Sequence, residues 1–144
     1  MTVKILKPPA NVPGEKMTEL MKDVVRAAYS ADVTLTSDLA VTTLFRVPAN
    51  TLVTQAVIEV ITALDGTLSS DDSVDIGDSD DADALLHLEC ATTKIAGHTQ
   101  VGGLAKRYSA AQDIILTPTL ADITAGKVRV WLEYKTDSNT EHVG

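Results

Sequence analysis

The stretch that most constrains this chain is RVPANTLVTQAVIEVITALDG, residues 46–66. A proline cannot donate a ladder hydrogen bond and drives the residue before it into extended conformation, so Pro48 marks a strand end and a corner at Val47-Pro48-Ala49-Asn50. From Thr51 to Leu64 there is no Gly, Pro or basic residue. The β-branched side chains Thr51, Val53, Thr54, Val57, Ile58, Val60, Ile61 and Thr62 suit a pleated strand better than a helix. Even positions (Leu52, Ala56, Ile58, Val60, Leu64) form the apolar face, and the polar Gln55 and Glu59 fall on odd ones. Fourteen residues is long against a usual strand of about 5–6, which predicts a bulge near Gln55-Ala56 and a stop at Asp65-Gly66. The stretch is a central core strand of an all-β domain and carries no chemistry.

The remainder follows the same grammar. Residues 15–29 space Met17, Leu20, Met21, Val24, Val25 and Ala28 as a short helix would, although Val25, Ala27, Tyr29 and Ala31 also alternate. The spacing predicts a helix giving way to extended chain near Ala28. Strands are expected over residues 32–37, with Val33 and Leu35 inward, and over 41–47, with Val41, Thr43, Phe45 and Val47 inward. Further strands fall at 73–77, at 84–90 (Leu86, Leu88 and Cys90 inward) and at 113–117, ending at Pro118. Residues 120–126 read as a turn, and 91–109 give no firm assignment. Residues 127–135, KVRVWLEYK, alternate most cleanly, with Val128, Val130, Leu132 and Tyr134 in and Lys127, Arg129, Glu133 and Lys135 out. Such a series predicts one β-sandwich or jelly-roll-like domain over residues 32–135. An extended N-terminal arm with a possible short helix (1–31) precedes it, and a flexible tail (136–144) follows.

Composition narrows the function classes. A formal charge of −8 opposes non-specific nucleic-acid binding and attachment to an anionic membrane. No run reaches the roughly 18 apolar residues of a membrane-spanning helix, and the N-terminus lacks a signal-peptide core. The single Cys90 sits in an apolar alternating run, as a buried free thiol does.

Candidate chemistry is sparse. DDSVDIGDSDDAD, residues 71–83, holds seven aspartates, and crowded carboxylates can bind calcium. With Gly77 at the sixth position, however, Val74 and Ile76 would occupy ligand places and no Glu closes the loop, so the expectation is an exposed acidic turn without a metal. His87, His98 and His142 show no ligand spacing, and His87 and Cys90 fall on opposite faces of one strand. No nucleophile elbow, P-loop or dinucleotide fingerprint is present, so neither an enzyme nor a cofactor is expected. Two features suit contact with other proteins. Residues 1–14 combine Pro8, Pro9 and Pro13 with Val3, Lys4, Ile5, Leu6 and Lys7, a stiff arm with apolar and basic side chains. Trp131, on the polar face of its strand beside Arg129, has the character of a subunit-interface anchor.

The segments LFRVPANTLVTQAVIEVITALDG, SVDIGDSDDADALL and DIILTPTLADITAGKVRVWLEYK together resemble a group of small virion proteins of tailed bacteriophages over residues 41–135. The resemblance implies a β-sandwich module with a structural role on the virion, made in the bacterial host cytoplasm. The short length and the absence of fibre-type repeats favour a capsid decoration (cement) protein over a tail- or head-fibre module that binds a receptor or carbohydrate. For the decoration type it implies a homotrimer bound to the major capsid protein at the shell surface. The arm Val3–Lys7 would be its capsid contact, and Trp131 with Arg129 would lie at its subunit contact.

Overall fold

The computed structural model describes residues 25–91 and 95–136. Ten strands make two antiparallel sheets that face each other as a β-sandwich. The larger sheet has β10 (Asp122–Thr136) and β4 (Thr51–Thr67) at its centre. On the β10 side lie β1 (Arg26–Tyr29) and β2 (Val33–Thr34); on the β4 side lie β7 (Thr99–Val101) and β8 (Lys106–Tyr108). The smaller sheet runs β3 (Thr42–Val47), β9 (Gln112–Thr119), β5 (Ser73–Gly77), β6 (Leu86–Glu89). Between the sheets Ile58, Val60, Val128, Val130 and Leu132 pack with Val74, Ile76, Leu88, Ile114 and Leu116 in one buried cluster. Two alternating faces exclude water from each other in this way, each buried aliphatic side chain contributing about 1.5–3 kcal/mol.

The long strand is longer than expected. β4 passes the expected stop and stays paired to β10 from Thr51↔Thr136 to Thr67↔Asp122. Gly66 permits this: its φ is +119°, and a Cβ there would collide with the Asp122 carbonyl of the paired strand. The bulge falls at Thr54, because Val53 and Gln55 pair with the consecutive Tyr134 and Glu133. One extra residue reverses the parity of everything before it, so Val53 is buried where Leu52 was expected. At the corner preceding β4, Asn50 takes φ 62°, a left-handed conformation that Asn tolerates, and Thr51 Oγ1 donates to the Pro48 carbonyl at 2.7 Å.

Other expectations need correction. Arg26–Tyr29 is a strand on the edge of the large sheet, not the end of a helix; the rest of the expected helix and the arm at residues 1–14 lie outside the described residues. The register of β3 shifts between Thr43 and Phe45, so Val41 and Thr43 are exposed, whereas Leu44 and Phe45 pack partly against the core and Val47 is buried. β9 continues through Pro118, which pairs with Val74 beyond the last residue that β3 reaches. There it borders only one strand, so its missing N–H costs no ladder bond. Residues 122–126, expected in a turn, are the first part of β10. The unassigned stretch after Ala91 supplies β7 and β8.

Candidate functional site

Two places gather polar and aromatic side chains. The first is the acidic segment, which is more than an exposed turn. Asp72 and Asp78 are each only 2% exposed. Asp78 follows Gly77, where the backbone turns so tightly that a Cβ would strike the carbonyls of Asp81 and Ala82. One oxygen of its carboxylate accepts the backbone N–H groups of Asp80 and Asp81, both at 2.9 Å. The other accepts Lys106 Nζ at 2.7 Å and Tyr108 Oη at 2.8 Å. Burial alone would raise this carboxyl; Lys106, Tyr108 and the two N–H groups outweigh it and hold the pKa below the usual carboxylate range. The same contact raises Lys106, while burial together with Asp78 pushes Tyr108 up.

Asp72 plays a similar part at the other end, accepting the N–H of Ser69 and of Ala121 at 2.9 Å each. It thereby fastens the loop before β5 to the turn between β9 and β10. In both aspartates each carboxylate oxygen accepts from a protein donor. They are anchors that tie an acidic loop to β8 and to the β9–β10 turn. Of the others, Asp75 meets His87 Nδ1 at 2.5 Å on the outer side of the small sheet, and Asp83 raises the neighbouring Asp81 carboxyl. Among the described residues, no group of three or more His, Cys, Asp or Glu is arranged to hold a metal ion. Cys90 is buried and His87 is exposed, on opposite faces as their spacing predicts; burial, then Asp72 and Asp75, push the thiol up to about 12.

The second place is the outer face of the large sheet. Trp131 donates its indole N–H to Glu59 Oε1 at 2.9 Å and packs on Tyr29, with ring centroids 4.8 Å apart. The Arg129 guanidinium lies 5.2 Å from the Tyr29 ring centroid while its Nε donates to Asp32 at 2.8 Å. Asp32, Arg129, Tyr29, Trp131 and Glu59 thus form one connected surface group. The sequence places Trp131 and Arg129 on this face, and the structure adds Tyr29. The alternation Val25–Ala27–Tyr29 carried that signal, in competition with the helical spacing around it. Val3–Lys7 lie outside the described residues.

The fold is a two-sheet antiparallel sandwich with buried aspartate anchors at its acidic loop and one connected aromatic and charged group on the outer face of the larger sheet. No family model and no curated protein matches the chain. Solved structures do share its fold. A chain of the acidic stable capsid of Helicobacter pylori bacteriophage KHP30 matches with TM-score 0.60 and 14% identity, over 80% of this chain and 95% of that one. A chain of the Cyanophage Pam1 capsid asymmetric unit matches with TM-score 0.62 and 16% identity, over 78% and 85%. A chain of the Ralstonia phage GP4 capsid matches with TM-score 0.58 and 14% identity, over 91% and 90%. At these identities the likeness is one of fold, and it spans most of both chains in each case.

Proposed function

We propose that the protein is a structural component of a phage virion and, within it, a decoration (cement) protein bound to the outer surface of the capsid. The observation that carries this reading is the near full-length fold likeness to chains from three phage capsids. The match takes in 85–95% of each of those chains. The acidic body and the anchored loops suit a rigid module that works by adhesion. A protein that binds only the assembled shell raises the free energy of opening it by mass action. As a homotrimer it would engage the major capsid protein at three points at once, with a high effective concentration for the second and third. In this reading the arm Val3–Lys7 is the capsid contact, with Lys4 and Lys7 making it net positive where the body is net negative, and Trp131 with Arg129 lies at the contact between copies.

The test is rebinding. Purified protein added to capsids of its phage that lack their own copy should co-sediment with them and appear as discrete density on the outer surface. Deleting residues 2–14 should leave the β-type circular dichroism spectrum unchanged and sharply weaken binding. No binding by the full chain refutes the decoration role; full binding by the truncated chain moves the contact from the arm to the sandwich.

A further inference from the structure

The outer face of the large sheet carries one apolar row across four strands. Tyr29 of β1 pairs with Trp131 of β10, Trp131 with Val57 of β4, and Val57 with Val101 of β7. Residues directly opposite in a ladder share a face, so the four side chains lie in line. The ends are the most open, with Tyr29 59% and Val101 55% exposed, while Trp131 and Val57 between them are half-buried. Polar residues border the strip on both sides: Arg129, Glu59 and Thr99 along one, and Glu133 and Gln55, with the small Ala27 at the end of their row, along the other. Single exposed apolar residues need no explanation. A continuous strip with an aromatic centre and a polar rim has the anatomy of a protein–protein contact.

Charge selects the occupant. The chain as a whole carries −8, and seven of its carboxylates crowd into residues 71–83. Between Lys127 and Lys135, this face instead sets Lys127, Arg129, Lys135 and Arg107 against Asp32, Glu59 and Glu133. It is the part of an acidic body where a second acidic body can approach with cations opposite carboxylates. The row also has a direction, aromatic at the β1 end and aliphatic at the β7 end, which suits a head-to-tail contact that closes into a ring.

We infer that this face joins copies of the chain, the Tyr29–Trp131 end of one copy against the Val57–Val101 end of the next. The inference rests on the multi-copy reading above and assigns its surface to four strands. Sedimentation of the full chain should report a closed oligomer at micromolar concentration. Tyr29→Glu and Val101→Glu alter exposed ends only, so each should keep its circular dichroism spectrum and lose about 100-fold or more in self-affinity. Mixed together they should form dimers and nothing larger, because one intact end remains on each. A Tyr29→Cys/Val101→Cys double variant should give a ladder of inter-chain disulfides on mild oxidation. A monomeric parent, variants that assemble like the parent, or no ladder would each overturn the inference. Its failure is separable from that of the capsid role: an oligomer that binds no capsid leaves this contact standing, and a monomer that binds capsids leaves the decoration role standing.

Discussion

Tyr108 donates its phenolic hydrogen to Asp78, thirty residues earlier in the chain, at 2.8 Å in a buried contact. Lys106 reaches the same oxygen from the same short strand, so β8 is held to the acidic loop by two charge-assisted hydrogen bonds, one from a neutral donor and one from a cation. Asp78→Ala should therefore destabilise the fold by about 2–4 kcal/mol, since it strands a buried hydroxyl and two backbone N–H groups. Asp80→Ala, on an exposed carboxylate, should stay within about 0.5 kcal/mol of the parent. Urea denaturation of both variants is the measurement, and equal midpoints would contradict the anchor.

The same contact sets a pH dependence. The folded Asp78 carboxyl lies below its ordinary value, so between the folded and unfolded values the unfolded chain binds more protons and stability rises with pH. Its contribution is fully present above the unfolded value of about 3.9 and is lost as pH falls through the folded one. The stability gap between the parent and Asp78→Asn should hold steady from pH 7 to about pH 5 and shrink in stronger acid. A gap that widens in acid would contradict this assignment.

Cys90 should be silent toward thiol reagents in the folded protein. Its thiol is buried and pushed up to about 12, and the thiolate is the reactive form. Iodoacetamide at pH 8 should modify it only after guanidinium unfolds the chain. Rapid labelling of the folded protein would place Cys90 at the surface.

Val130 is fully buried between the sheets. Val130→Asp would set a carboxylate among Ile58-type neighbours with no partner, a cost of about 4 kcal/mol or more, against a total stability of about 5–15 kcal/mol for such domains. The variant should be unfolded or melt far below the parent, whereas Lys127→Asp on the outer side should not. An unchanged melting temperature for Val130→Asp would mean that β10 is registered one residue away.

The alternation along β10 from Val128 to Leu132 was legible because nothing interrupts its period there. Where a single residue bulges out, at Thr54 in β4 and between Thr43 and Phe45 in β3, the period survives on each side but its parity reverses. Alternation alone holds no marker for the inserted residue, so it points Leu52 and Val41 inward. Pro118 misled for another reason: a proline excludes only a donor, and which of two neighbouring strands needs that donor is a property of the sheet. The acidic segment has the local chemistry of a turn, and turns are indeed there. The burial of Asp78 depends on Lys106 and Tyr108, which lie in a stretch that gave no strand pattern. Tyr29 became visible as a surface group only when β1 was placed beside β10.

β10 is the last strand of the described chain, yet it lies between β1 and β4 and pairs with both. The large sheet therefore has no centre until residues 122–136 have been synthesised. Non-local pairing of this kind is paid for late in folding. A ribosome that stops early releases a chain whose β4 has an open edge and whose surface row lacks Trp131, the link between Tyr29 and Val57. Completeness of translation, the closing of the large sheet and the continuity of its outer surface row are thus set by the same fifteen residues, and a chain cut short before them lacks the last two at once.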